Sequence, residues 1–545
     1  DGLERDMKRI IQEASVIGRA FLYEILKRVT ELKDMIDKSL SGLERLELIR
    51  TRTIQPDLEY IFKHALTQEV AYNSLLLKRR KEIHERIGKA IEELYPERLE
   101  EFYEMLAYHY ARGEGLEKAS QYLKLSGNKA ARNHSIWEAY GFYKEALATL
   151  LRLPETVANK KEKVEVLVLM TGPMQLLGFP EESLGMLQEG ENLSMDLGDN
   201  RTLAFFQGRL GAYYAYRGTH LVRVKYLEEA FEESRKSQDI DLIVPTAQGL
   251  CLNYIRTGHY SKVADIIPDV LELFEKNGRE SDFFANVVNP YSSLCAFCGM
   301  SMGYLGNFNE GRIFFEKGLR YAAQIGDLRT LGLVELNYGL FFHTKGDWKP
   351  AMEHFQNSIK YSEKVKFLAP LAWSWSYLGN LYSYLEDPET GRRYVEKGLK
   401  IQQDGGFEWF LSFHPFFLGD IHLHRGDIKN ARSSVDEALR LSQKNNEKLM
   451  EGRSWILLGR IMGLAETPQT NRAKEYLLQG MKILDELKLK PDYALGCFYL
   501  GDLYTNAGQK KKALENLKKA KTMFQEMGMD YWLGRARELL ESLGA

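Results

Sequence analysis

The sequence predicts an all-α chain built as a superhelix of stacked helix pairs, because two registers of small residues run along it in step. In the first register Gly211, Cys251, Gly299, Gly339, Gly379, Gly419, Gly459 and Gly501 follow at intervals of 40, 48, 40, 40, 40, 40 and 42 residues, with Cys251 standing where the glycine is replaced. The second comprises Gly190, Ala230, Gly318, Ser358, Gly398, Ala438 and Ala520, and in most units lies nineteen positions after the first. A chain of 545 residues is too long for one compact core. Stacked units that touch only their neighbours solve that problem and offer a long concave surface, which points to recognition.

The residues around these marks identify the unit. Trp375, Leu378, Gly379 and Tyr382 carry its first half, as do Trp455, Leu458 and Gly459. Gly346, Ala351 and Phe355 carry the second half, and Cys497, Leu500, Gly501, Tyr504, Gly508, Ala513, Leu517 and Ala520 span both. This pattern resembles the tetratricopeptide repeat, whose W-x2-L-G-x2-Y and A-x3-F signatures mark two antiparallel helices. The resemblance implies a right-handed α-superhelix. Small residues at the two marks let helices approach closely, and aromatic and leucine positions fill the space beside them. The period is 40 rather than about 34 residues, which predicts second helices about six residues longer. Armadillo-type repeats share the length but lack the paired glycine and alanine marks. The spacing anomalies predict two insertions, around Gly278 to Pro290 and around Thr467 to Asn471.

Residues 1–95 do not follow the repeat. Arg5 to Val16, Ala20 to Arg28 and Asp34 to Leu46 read as short amphipathic helices. Ile49 to Ile54 and Leu58 to Phe62 read as a hairpin about Gln55-Pro56-Asp57. Three helices and a hairpin predict a small winged-helix module, followed by a connecting helix that ends near Tyr95. The expected organisation is this module at 1–95, transitional helical repeats at 96–163 and a tetratricopeptide-like solenoid at 164–545.

The run Phe62-Lys63-His64-Ala65-Leu66, then Arg79-Arg80, Leu106-Ala107-Tyr108-His109-Tyr110, Glu117-Lys118-Ala119 and Glu138-Ala139-Tyr140 resembles a known family. It is similar to the winged-helix and repeat portion of signal-transducing ATPases with numerous domains (the STAND class), of the nucleotide-cyclase- or kinase-associated type. The resemblance covers about the first quarter of the chain. It implies a P-loop ATPase upstream, with ATP or ADP as the cofactor of the full-length protein and none in this fragment. It also implies that His64 reaches the diphosphate of ADP held by that ATPase. The residues alone equally allow His64 to cap or pack at a strand–helix junction.

Composition narrows the function classes. The chain has 74 basic and 76 acidic residues, and residues 1–95 hold eighteen basic against seventeen acidic, too even a balance for a nucleic-acid reader. Lys78-Arg79-Arg80-Lys81 is flanked by Glu82 and Glu85 and reads as a solvated or interdomain face. No apolar run is long enough to span a bilayer, so no membrane partner is expected. Four cysteines in this length point to a reducing compartment, hence a cytoplasmic location. Cys295-x2-Cys298 has no second pair for a zinc site, and all four cysteines fall on packing marks. There is no G-x4-G-K-[ST], G-x-S-x-G or H-E-x2-H. The expectation is a non-enzymatic fragment with no catalytic or metal-ligating residues.

What remains is the inner surface. In tetratricopeptide arrays the first helix of each unit lines the groove through consensus positions 2, 5, 9, 12 and 13, by the family resemblance. Carried over, these give Tyr216, Arg256, Tyr304, Trp373, Asn380, Tyr384, Phe416, Asp420, His424, Arg460 and Asp502. Position 9 should align Asn380, Asp420 and Arg460 on one ridge, with Trp373, Phe416 and Tyr384 around it. Aromatic faces beside polar groups suit a small-molecule inducer, a peptide or another protein. The expected role is the sensor arm of a STAND-class ATPase, partnered with its own ATPase or effector domain. The alternative is a constitutive tetratricopeptide scaffold for protein–protein interaction.

Overall fold

The computed structural model describes residues 3–133, 135–216, 220–284, 287–385, 387–407, 409–465 and 468–544, without the side chains of 215–216 and 220–221. The chain forms two compact units, Asp1–Tyr226 and Leu227–Ala545.

The first unit opens with α1 (Arg5–Ile17), β1 (Ala20–Leu22), α2 (Tyr23–Val29), α3 (Ile36–Arg45), β2 (Ile49–Thr53) and β3 (Glu59–Phe62). The strands form one antiparallel sheet in the order β1-β3-β2. Ile10, Ala14, Ile25, Leu26, Leu40, Leu43 and Phe62 close the core beneath it. The hairpin stands where the sequence places it, but Ala20 to Arg28 is not one helix. Its first three residues pair with β3, Phe21 opposite Tyr60, before α2 begins. Phe21 is buried against Tyr60 and Phe62, ring centroids 5.8 and 5.7 Å away, so tertiary packing overrides a short amphipathic pattern.

Helices α4 (Ala65–Asn73) and α5 (Leu77–Leu94) follow the sheet, then α6 (Tyr103–Arg112), α7 (Leu116–Arg132), α8 (Ile136–Leu150), α9 (Val157–Leu176), α10 (Ser183–Leu197) and α11 (Asn200–Tyr216). The division between the two units falls inside α12 (His220–Ser237).

The second unit is a tetratricopeptide-like superhelix. Its pairs are α13 (Ile240–Thr257) with α14 (Tyr260–Asn277), α15 (Pro290–Tyr304) with α16 (Phe308–Ile325), and α17 (Leu328–Lys345) with α18 (Trp348–Val365). Then come α19 (Leu368–Tyr384) with α20 (Pro388–Asp404), and α21 (Phe413–His424) with α22 (Ile428–Lys444). The array ends with α23 (Lys448–Gly463) and α24 (Thr470–Glu486), α25 (Lys490–Asn506) and α26 (Lys510–Met527), and the single helix α27 (Asp530–Ser542).

The glycine marks are where paired helices touch. A Cβ on Gly339 would lie 2.5 Å from the Phe355 ring, one on Gly379 2.5 Å from the Gly391 carbonyl, and one on Gly419 2.3 Å from Val435. No side chain fits at such distances. The extra length of the unit is shared, which corrects the expectation of longer second helices alone: α17 and α18 have 18 residues each. The first insertion forms the connection between α14 and α15, where Asn289 caps Ser292 N–H at 2.9 Å, although 285–286 lie outside the described residues. The second lies between α23 and α24, and its residues 466–467 are likewise outside them.

The coil is tight. The turn after α13 meets the start of α23, where a Cβ on Gly258 would be 3.5 Å from Leu449 N. The turn after α15 meets Met527 and Lys490, and the turn after α17 meets Trp532, 3.0 Å from a Cβ on Gly346. Units five apart therefore pack on one another, and the inner surface is much narrower than an open groove.

Candidate functional site

The inner face of the second unit is organised around the ridge formed by successive first helices. His343 Nε2 lies 2.9 Å from Asn380 Oδ1. The Asn380 amide donates to Asp420 Oδ2 at 3.2 Å, and Arg460 Nη1 donates to Asp420 Oδ1 at 3.1 Å. Because the Asn380 nitrogen is committed to a carboxylate, its oxygen accepts, and His343 Nε2 carries the proton. His424 Nδ1 donates to the Asp420 carbonyl at 2.8 Å. Asp420 is 3% exposed. Burial opposes its charge, but His424, Arg460 and the Asn380 amide outweigh it and hold the carboxyl below its usual range. The Arg460 guanidinium also lies over the Tyr499 ring, 4.2 Å from its centroid.

A second buried pair lies beside this ridge. Arg453 donates to both oxygens of Asp492, at 2.6 and 3.2 Å, a two-pronged geometry that fits the guanidinium fork. Burial lowers the Arg453 guanidinium, yet Asp492 and Tyr304 more than compensate and its pKa is raised.

Two cavities adjoin these groups. One, of about 180 Å³, is bounded by Tyr384, His424, Arg460, Tyr499, Asp502, Tyr531, Trp532 and Arg535. The other, of about 90 Å³, is bounded by His343, Trp348, Asn380, Phe416, Asp420, Arg453, Arg460 and Asp492. Tyr384, Arg460, Tyr499 and Trp532 line both. Trp348 stacks on Tyr384 with centroids 4.7 Å apart and 17° between planes, and its Nε1–H is buried without an acceptor. Aromatic walls, a few convergent polar groups and an unspent donor are what a small-ligand site requires.

The structure thus brings together Asn380, Tyr384, Phe416, Asp420, His424 and Arg460. It separates two residues from them. Trp373 sits nearly two helical turns before Asn380, bounds neither cavity, and donates its Nε1–H to Gln402 Oε1 at 3.1 Å while packing on Phe407 and Phe410. Tyr304 is 4% exposed, packed on Tyr260 with centroids 4.4 Å apart and covered by Arg453. It fills the contact between turns of the coil rather than a groove. Of the remaining inner-face residues, Asp502 bounds the larger cavity, Arg256 lies at the end of α13, and the Tyr216 side chain is outside the described residues.

Arg453, His343, Trp348 and Trp532 line the cavities but are not among the residues singled out from the sequence. Arg453 occupies the same repeat position as Trp373 and His343 occupies position 12, so the positional rule covers both and was not carried to them. Trp348 lies at the start of a second helix and meets Tyr384 of the next unit, a position outside the groove rule, whereas Trp532, on α27, arrives only because units five apart pack together.

The four cysteines are buried on packing positions, where burial pushes the Cys251 and Cys298 thiols up to about 12 and the Cys497 thiol to about 11. In the first unit His64 is exposed at the junction of β3 and α4, with no side-chain capping bond to the helix. Arg79, from the basic run, pairs with Glu82 at 3.1 Å and approaches Glu13 and Glu31 at 3.7 Å. Among the described residues no helix is long and apolar enough to cross a membrane.

No protein-family pattern and no curated protein sequence matches this chain. Solved structures with related folds include a Rap protein complexed with competence and sporulation factor, 11% identical at a TM-score of 0.40, over 75% of this chain and 99% of that one. A STAND protein with a tetratricopeptide repeat sensor from Pyrococcus horikoshii is 15% identical at a TM-score of 0.32, over 89% of this chain and 65% of that one. Aspartyl phosphate phosphatase F from Bacillus subtilis is 13% identical at a TM-score of 0.42, over 74% of this chain and 96% of that one. At these identities and scores the likenesses carry nothing about function.

Proposed function

We propose that this chain is the non-enzymatic regulatory arm of a STAND-class signalling ATPase, and that a ligand held inside the repeat array sets how tightly the arm restrains that ATPase. The observation that carries the reading is the pairing of a two-cavity repeat array with a leading module whose elements run helix, strand, helix, helix, strand, strand, the order of a winged helix. His64 supports it, because an exposed imidazole between a strand and a helix is free to meet the phosphate of ADP on a neighbouring domain.

A small ligand is favoured over an extended peptide by the closure of the coil. Asn380, Asp420 and Asp492 are already buried in internal partnerships, and cavities of about 180 and 90 Å³ leave room for a small molecule. The same closure weighs against a constitutive peptide scaffold. Coupling requires that the ligand bind the restrained and released states with different affinity. Nucleotide exchange in the full-length protein tests this: addition of the inducer should change the ADP release rate. A partner captured by the array with no effect on exchange would replace this reading with the scaffold.

A further inference from the structure

The larger cavity holds two opposite charges that the internal network leaves uncommitted. Asp502, on the inner face of α25, is half-buried, and among the described residues it has neither a hydrogen-bond nor an ion-pair partner. Arg535, on α27, makes a single ion pair among the described residues, a 3.3 Å contact to Glu538 one helical turn away in which both side chains are more than half exposed. Such a surface pair is readily exchanged for a ligand. The third charged group, Arg460, is spent on Asp420 and on the Tyr499 ring. An acid and a base on different helices facing one cavity, unpaired with each other, complement a ligand that carries both charges.

The rest of the wall states what else the ligand needs. Phe498, Leu477, Leu503, Tyr531 and Trp532 give one side of the cavity an apolar surface. Its volume of about 180 Å³ is slightly above the roughly 150 Å³ of an apolar cavity that accommodates benzene. That apolar side suits a small ligand with a compact hydrophobic group.

We infer that this cavity binds a free α-amino acid with an apolar side chain, its ammonium on Asp502, its carboxylate on Arg535 and its side chain against Tyr531 and Trp532. The inference rests on the reading of the array's interior as a ligand site and adds the ligand's class. Burial raises the Asp502 carboxyl despite the opposing pull of Arg460 and Arg535, and an incoming ammonium would add to their compensation of its charge.

Titration calorimetry on the intact chain with L-leucine and L-phenylalanine tests it, with leucinamide, isoamylamine and 4-methylpentanoate as single-charge probes. The expected result is saturable binding of the amino acids and at least tenfold weaker binding of every single-charge probe. Asp502→Asn and Arg535→Gln should each weaken amino-acid binding at least tenfold, with melting temperatures near that of the parent. Equal binding of isoamylamine and leucine, or amino-acid binding indifferent to either substitution, would overturn the assignment, as would no binding at millimolar concentration. The outcome is separable from the regulatory reading. Amino-acid binding without any change in ADP release in the full-length protein would leave the site standing and remove the regulation. An inducer of another class that changes ADP release would do the reverse.

Discussion

Arg460 and Asp420, forty residues apart in the chain, form an ion pair of 3.1 Å on adjacent first helices, and the Asn380 amide completes the line from a third. One step of the repeat separates each from the next. Position in the repeat thereby becomes position in a buried polar network.

Removing one partner of such a pair leaves a charge without compensation. Arg460→Ala and Arg453→Ala should each destabilise the second unit by about 3–5 kcal/mol, because Asp420 and Asp492 are each only 3% exposed. The double substitution Arg453→Met with Asp492→Leu should recover most of that loss, since well-packed apolar residues often replace a buried pair at little net change. Denaturant unfolding of the three variants checks this, and single variants within about 0.5 kcal/mol of the parent would show that water reaches the pairs.

The glycine marks predict opposite outcomes for one substitution. Gly339→Ala puts a methyl 2.5 Å from the Phe355 ring and should destabilise by about 1–3 kcal/mol. Gly208 lies in α11 with nothing within 4 Å of its would-be Cβ, so Gly208→Ala should stabilise by up to about 1 kcal/mol through helix propensity. Thermal melts of the two variants decide the matter.

That contrast shows what was legible in the sequence. The repeat step is a packing requirement, so the helices, the tight contacts and the alignment of Asn380, Asp420 and Arg460 were readable from spacing. The closure of the coil is not written in any unit. It arises from contacts between units five apart, and so the approach of Trp532 to Gly346 and Trp348 and the place of Arg535 on the wall of the larger cavity were hidden. Trp373 shows the opposite failure: a groove position by rule, it is held by Gln402 of α20, whose Oε1 also lies 2.7 Å from His414 Nε2. Strand β1 was missed because three residues alternate too briefly to outweigh a helical pattern.

Acid should weaken the fold. His84 and His414 are buried and held at about 4, and His109 at about 3, in each case chiefly by burial. Folded values below the unfolded 6.5 mean that the unfolded chain binds more protons, so stability falls as pH drops from 6.5 towards 4. Each histidine contributes at most about 1.4 kcal/mol per pH unit in that window. Glu447, pushed up to about 7 by burial despite hydrogen bonds from Ser412, Asn445 and Phe410 N–H, works the other way between 4.5 and 7. His343 is likewise held at about 4 by burial, and the four histidines outweigh Glu447 and the raised Asp502, so denaturant midpoints should decrease from pH 7 to pH 5, with a shallower decrease in His414→Gln.

The regulatory reading is tested most directly by the release rate of a fluorescent ADP analogue from the full-length protein, compared between the parent and His64→Ala. A charge-assisted hydrogen bond to phosphate contributes about 1.5–3 kcal/mol, so loss of His64 should speed release by roughly 10- to 150-fold while leaving the stability of the isolated chain nearly unchanged. An unchanged release rate in the His64→Ala protein would contradict the account.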